Sequence, residues 1–309
     1  MSIETPSKPS TDTEKQDRMK FGTGFIAALD QSGGSTPKVL TNYGVPNDEY
    51  DHDEAKMFDL VHDMRVRIMS HQDFGYPRIL GAILFEQTMH RNVNGLNSSV
   101  YLWQERGVLP FLKIDNGLAP EANGVQLMKP IQDIGPRLET AKSLEVFGTK
   151  MRSVIKEPNR SAIFEVVEQQ FDYAKTINEH GLIPIVEPEI DIKAEAKKEC
   201  EQILLDALTV YLMKLSDEHR VIFKLTLPEL DDFYKEFTDH PKVLRLAALS
   251  GGYSRSEAVR RLSRNEGMIA SFSRALVEGL TRDMSSEDFG KELLKSIVLI
   301  ADQSGNGQA

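Results

Sequence analysis

Eight short runs rich in Val, Ile, Leu and Phe recur along the chain, each followed by a longer amphipathic stretch, and this alternation restricts the fold more than any other feature. The runs cover residues 25–30, 79–86, 109–115, 146–152, 182–189, 221–227, 244–250 and 268–273. They have the length of strands, and their near-continuous apolar character suits a parallel sheet buried on both faces. Helical spacing marks the stretches between them. Met57, Val61, Met64 and Ile68 share one helical face, as do Ile163, Val167, Phe171, Ala174 and Ile177. His180 and Gly181 end the second of these helices, offering a cation and a residue that tolerates positive φ. Ser254 and Glu257 have the spacing of a capping box, and Ile203, Leu204, Ala207, Val210 and Tyr211 lie on another long helix. No GxGxxG fingerprint follows the first run, so a single closed (β/α)8 TIM barrel is favoured over an open doubly wound sheet. The expected organisation is a mobile polar tail over residues 1–20, one barrel domain over 21–302 and a flexible tail over 303–309.

Composition narrows the partners. Lys and Arg total 37 against 47 Asp and Glu, a net charge of −10, which disfavours nucleic acid and anionic membranes. No apolar run reaches the roughly 18 residues of a membrane span, and residues 1–20 lack a secretory hydrophobic segment, so a cytoplasmic setting is expected. Cys200 is the single cysteine, read as inert. Oligomeric state stays open.

The apolar runs end in, or carry, charged and hydroxyl residues where a barrel would present its catalytic rim: Asp30, Glu86, Lys113 with Asp115, Lys150 with Arg152, Glu187 with Glu189, Lys224, Ser250, and Ser271 with Arg274. Strand side chains alternate, so each of the pairs Lys113/Asp115, Lys150/Arg152 and Glu187/Glu189 shares a face and can converge in the lumen. Lys224 is the sharpest case, an amine set between Phe223 and Leu225 in a run expected to be buried. An amine in an apolar wall beside other cations, here Lys113 and Lys150, loses its proton more readily and can attack a ketone. A salt-bridged or snorkelling lysine is the alternative. Glu187 and Glu189 can divide acid and base work, or with Asp30 hold a divalent metal, or lie in a solvated turn. Ser250, Gly251 and Gly252 can cradle a phosphate through backbone N–H groups, with Arg274 and Ser273 beside them, although paired glycines also mark ordinary turns. A second cluster, Ser32, Gly33, Gly34 and Ser35 with Lys38, can take another phosphate.

Several segments in order, GFIAALDQSGGSTPK, ILGAILFEQTM, PFLKIDNGL, FGTKMRS, PIVEPEI, FKLTLP, LSGGYSR and ASFSRAL, resemble the class I fructose-1,6-bisphosphate aldolase family in its shorter bacterial form. The resemblance spans about residues 20–300. It implies a (β/α)8 barrel that reversibly cleaves fructose 1,6-bisphosphate to dihydroxyacetone phosphate and glyceraldehyde 3-phosphate in glycolysis and gluconeogenesis, with no metal and no cofactor. It implies Lys224 as the Schiff-base lysine and Glu187 as the main acid/base. Asp30 would handle the hydroxyl proton, while Glu189, Lys150 and Lys113 tune and position. Ser250, Gly251, Gly252, Ser273 and Arg274 would hold the ketone-half phosphate, and Ser32, Ser35, Lys38 and Arg152 lie near the other. Animal members end in a catalytic tyrosine, whereas this sequence ends GNGQA, so another group is expected to serve the enamine. A transaldolase-like or other phosphosugar Schiff-base lyase, a metal-dependent barrel enzyme and a non-enzymatic phosphosugar-binding barrel are the other readings.

Overall fold

Every one of the eight apolar runs overlaps a strand of the same parallel sheet: β1 (Phe25–Leu29), β2 (Ile79–Leu84), β3 (Leu109–Lys113), β4 (Gly148–Ile155), β5 (Ile183–Ile190), β6 (Val221–Thr226), β7 (Val243–Leu249) and β8 (Ile269–Ala270). The computed structural model describes residues 12–32, 36–51 and 53–305. The strands pair in chain order from β1 to β8, and Ala28 N–H donates to the Phe272 carbonyl at 3.1 Å across the remaining seam, giving a nearly closed barrel. The expected barrel class is the observed one.

Alternation sorts the side chains. Residues such as Ile26, Leu109, Phe111, Ile185 and Ile222 fill the barrel interior, while Leu112, Met151, Val186 and Phe223 pack outward against the helices. Phe111 shows how the interior is fitted. A Cβ on Gly81 of β2 would lie 2.8 Å from its ring, and one on Gly148 of β4 also 2.8 Å, so glycines on both neighbouring strands make room for one large aromatic. Above these apolar layers, toward the C-terminal strand ends, the inward positions become Lys113, Lys150, Arg152, Glu187, Glu189 and Lys224.

The expected mobile tail over residues 1–20 gives way in its second half to a helix, Asp12–Phe21. Met19 is fully buried, and Arg245 of β7 donates to the carbonyls of Lys20 (2.8 Å) and Gly22, so this helix closes the N-terminal mouth of the barrel. At the other end, Gly305 N–H donates to Met268 C=O at 3.0 Å and Ser304 Oγ accepts from Ala270 N–H at 3.1 Å, tying residues 304–305 to β8. Residues 306–309 lie outside the described residues.

Local signals in the sequence are realised with one change. Gly181 adopts φ +75° after the helix Arg160–Glu179, and His180 Nδ1 meets Thr176 C=O at 2.9 Å. Ser254 accepts from Glu257 N–H at 3.3 Å, but Glu257 turns to Arg260 (2.6 Å) and Arg261 (2.7 Å) instead of completing the capping box. Short elements without a long apolar signature were not anticipated. They are a hairpin, Asn92–Val93 with Leu96–Asn97, and Val125–Gln126, which pairs antiparallel with the end of β4. No helix among the described residues is long and apolar enough to cross a membrane.

Candidate active site

A cavity of about 500 Å³ opens at the C-terminal ends of the strands, where a barrel of this kind collects the residues of its loops. Six cationic side chains line it (Lys38, Lys113, Lys150, Arg152, Lys224 and Arg274) against four carboxylates (Asp30, Asp115, Glu187 and Glu189). In a chain of net charge −10 this local surplus of two positive charges marks a place for an anion.

Strand register explains the pairing. Lys113 and Lys150 are Cα partners across β3 and β4, and Arg152 pairs with Glu187 across β4 and β5. Like charges side by side repel, so each ammonium takes its own counter-ion. Lys113 Nζ meets Asp115 Oδ1 at 2.6 Å and the Asp115 carbonyl at 3.0 Å. Lys150 Nζ lies 2.6 Å from Asp30 Oδ2 and 3.1 Å from Glu187 Oε2, while Lys224 Nζ lies 3.0 Å from Glu187 Oε1. Asp30, Lys150, Glu187 and Lys224 thus form an alternating chain of four buried charges. Glu189 stands apart from it, 2.5 Å from Arg152 Nε.

Burial would raise the Asp30 carboxyl, but the ammonium groups of Lys150 and Lys224 outweigh it and hold this acid well below the usual carboxylate range. Burial would lower Lys150, yet Asp30 and Glu187 hold it well above the usual lysine range. In the substrate-free site near neutral pH, Asp30 therefore rests as an anion and Lys150 as a cation. Among the described residues Lys224 has one carboxylate oxygen within ion-pair reach, whereas Lys150 has two carboxylates and Lys113 a carboxylate and a carbonyl. Glu187 Oε2 accepts no aligned hydrogen bond among the described residues despite its approach to Lys150, so it keeps a lone pair for a proton or a ligand hydroxyl.

The phosphate candidates gather on the same rim. Ser250, Gly251, Ser273, Arg274, Ser32 and Lys38 line the cavity. Gly251 and Gly252 have φ of +58° and +121°, a turn that other residues rarely adopt, and a Cβ on Gly252 would sit 3.3 Å from Arg274 Nη2. Glycine at 252 therefore lets the guanidinium lie against the turn. Arg274 and Lys38 have no ion-pair partner among the described residues, unlike the other four cations of the cavity. Ser35 lies outside the described residues, with Gly33 and Gly34.

Three expectations need correction. Glu187 and Glu189 line one cavity but do not form a pair with each other: Glu187 meets Lys150 and Lys224, and Glu189 meets Arg152. The metal alternative fails for a related reason: the Lys150 ammonium separates Asp30 from Glu187, and no metal-holding group of three His, Cys, Asp or Glu occurs among the described residues. Glu86 is not on the cavity wall; it pairs with Arg137 at 2.9 Å.

Sequence reasoning passed over Gln31, whose amide donates to Ser273 Oγ, and the buried Arg65 behind it, which donates to the Gln31 carbonyl at 2.5 Å and to Thr88 Oγ1 at 2.6 Å. Burial lowers the Arg65 guanidinium to about 10. Ser271 also faces the cavity, its buried hydroxyl without a partner among the described residues. Its place at the end of the eighth apolar run had already put it on the expected rim.

The family model for class I fructose-bisphosphate aldolase, a glycolytic enzyme family, matches residues 14–231. A class 1 fructose-bisphosphate aldolase from Porphyromonas gingivalis is 50% identical over 284 residues, 92% of this chain and 96% of that protein. Among solved structures, the Plasmodium falciparum fructose-bisphosphate aldolase, in complex with TRAP and a small-molecule inhibitor, superposes with a TM-score of 0.75. That match has 20% identity and covers 99% of this chain and 98% of that one. An archaeal fructose-1,6-bisphosphate aldolase, with its catalytic lysine covalently bound to the carbinolamine intermediate, gives a TM-score of 0.51 at 14% identity over 94% of this chain and 100% of that one. The two structures speak for the barrel alone. On the family match and the close relative, the chain belongs to the class I fructose-bisphosphate aldolases, which are aldehyde-lyases.

Proposed function

We propose that the chain cleaves fructose 1,6-bisphosphate reversibly into dihydroxyacetone phosphate and glyceraldehyde 3-phosphate through an imine on Lys224. The observation that carries this reading is the uneven hold on the three lysines. Lys224 is the buried amine whose proton rests on a single carboxylate oxygen, Glu187 Oε1, at 3.0 Å. Moving that proton across the pair arms a nucleophile and an acid in one step.

The neutral amine adds to the C2 ketone, and one proton passes from the nitrogen, cationic after the addition, to the alkoxide oxygen to give a neutral carbinolamine. Glu187 then protonates the hydroxyl, water leaves, and the lone pair of Nζ forms the iminium. The Asp30 carboxylate, kept ionised by Lys150, accepts the proton of the C4 hydroxyl. The C3–C4 bond breaks, its electron pair flows into the iminium to give an enamine, and glyceraldehyde 3-phosphate departs. Protonation at C3 and hydrolysis return Lys224. The iminium is the electron sink, so the scheme requires neither metal nor cofactor. Lys150 supplies fixed positive charge between the two carboxylates, with Lys113 and the Arg152–Glu189 pair bordering it. The Ser250–Gly252 turn, Ser273 and Arg274 would hold the phosphate on the ketone half. Ser32, Lys38 and Arg152 would face the other phosphate, and Ser35 is assigned there from the sequence alone. Two anchors far from the reacting bond convert binding energy into orientation.

A cytoplasmic place in glycolysis and gluconeogenesis accords with the glycolytic family description. Lys224→Met tests the reading: turnover should vanish while the bisphosphate still binds, and a variant that keeps wild-type turnover overturns it.

A further inference from the structure

The backbone ladder between β5 and β6 stops at the rung Val186↔Phe223. Glu187 and Lys224 are the next residue on each strand, so the central acid and amine stand just past the last paired position. Parallel strands held by a continuous ladder lie about 4.8 Å apart. Beyond the break something else must set the separation.

Three buried, uncharged side chains act here, two between β5 and β4 and one across the gap between β5 and β6. Glu187 N–H donates to Gln170 Oε1 at 2.8 Å, and Gln170 Nε2 donates to Ser153 Oγ of β4 at 3.1 Å. Thr226 Oγ1 accepts from Ile190 N–H at 2.9 Å and donates to Ile190 C=O at 2.7 Å, joining the end of β6 to the end of β5 through one hydroxyl. Gln170 and Ser153 are fully buried and Thr226 is 1% exposed, so no bulk water competes for these bonds. A buried polar group is costly unless paired: the Thr226 hydroxyl is paired across the two strands that carry Glu187 and Lys224, while Gln170 and Ser153 tie the Glu187 backbone to β4.

We propose that Thr226 is a positioning residue that fixes the distance between Glu187 and Lys224 by joining β5 to β6 through its hydroxyl where the ladder is missing, while Gln170 holds the Glu187 backbone from the β4 side. Thr226 is not on the wall of the cavity. It acts through the geometry of the Lys224–Glu187 pair, and the inference rests on the proposed roles of those two residues.

The test compares Thr226→Val, which keeps the shape and loses both bonds, with Thr226→Ser, which keeps the hydroxyl. Thr226→Ala stands in for the valine variant should that one fail to fold, and Lys224→Met is the control. Turnover of fructose 1,6-bisphosphate and the rate of borohydride trapping with dihydroxyacetone phosphate are measured on folded, full-length protein. The valine variant should lose about 10- to 100-fold in kcat and in trapping rate, the range expected for a misplacement of an ångström or less, with KM changed by less than about twofold. The serine variant should recover most of both. An inactive Lys224→Met beside a hydroxyl-less variant of wild-type kcat and trapping rate overturns this inference alone. Equal losses in the serine and hydroxyl-less variants overturn it too, since packing would then be the cause. An active Lys224→Met removes the reading on which it stands.

Discussion

Removing the central cation of the buried charge chain, by Lys150→Met, should cost both stability and turnover. Lys150 Nζ lies 2.6 Å from Asp30 and 3.1 Å from Glu187, with its side chain 4% exposed. At an effective dielectric constant near 20 those two attractions are worth about 6 and about 5 kcal/mol. Methionine also abolishes the desolvation cost of the ammonium, so the net loss falls to about 3–5 kcal/mol, the usual range for leaving one buried charge unpaired. At roughly 2–4 °C per kcal/mol for a large domain, the melting temperature at neutral pH should fall by about 6–20 °C.

The sign of the pH dependence follows from the two groups. Asp30 has a folded-state pKa below its unfolded value of about 3.9, so its contribution is complete above about pH 5 and drains away as pH falls through the folded value. Lys150 has a folded-state pKa above its unfolded value of about 10.4, so its contribution is complete below that value and is lost as pH rises through the folded value. The gap in stability between wild type and Lys150→Met should therefore be full at neutral pH and narrow below about pH 4. Calorimetric melts across pH 3 to 9, beside a coupled assay that reduces dihydroxyacetone phosphate with NADH, give both readouts. A variant that melts within about 1 °C of wild type at neutral pH would refute the charge-chain account.

Glu187→Gln, which keeps the shape but cannot give or take a proton, should lower kcat by about 10²- to 10⁴-fold in steady-state assays, with little change in KM. Arg274→Ala removes a cation that has no carboxylate partner among the described residues, so its loss should appear as a KM for fructose 1,6-bisphosphate raised about 10- to 100-fold, measured from initial rates. Cys200 is buried and its thiol is pushed up to about 11, by burial first and then by Glu199. Iodoacetamide at pH 8 should therefore leave the native protein unlabelled by mass spectrometry and modify it in denaturant.

The sheet was legible because its signal is cumulative. Val221 to Thr226 is apolar except where Lys224 and Thr226 interrupt it, and a buried strand with an inward amine can be read from composition and the two-residue period alone. The helix Asp12–Phe21 was illegible for the opposite reason: it buries one side chain, Met19, and otherwise looks like a polar tail. The short β8 was overestimated because its apolar run continues through Phe272 after the ladder ends at Ala270.

In the site, charged residues inside apolar runs announced themselves, whereas their pairing depends on three strands at once. Lys150 could be placed on one face with Arg152 by spacing, but its position between Asp30 of β1's end and Glu187 of β5 needs the closed barrel. Gln170 and Thr226 carry no charge and sit among apolar neighbours, so nothing in the sequence distinguishes them from packing residues until their hydrogen bonds are seen.

The most direct test of the account is mass spectrometry of the protein after borohydride reduction in the presence of dihydroxyacetone phosphate. The account predicts one reduced adduct per chain, with the ketone half attached to Nζ of Lys224. An adduct confined to Lys150 or Lys113, with Lys224 unmodified, would contradict it.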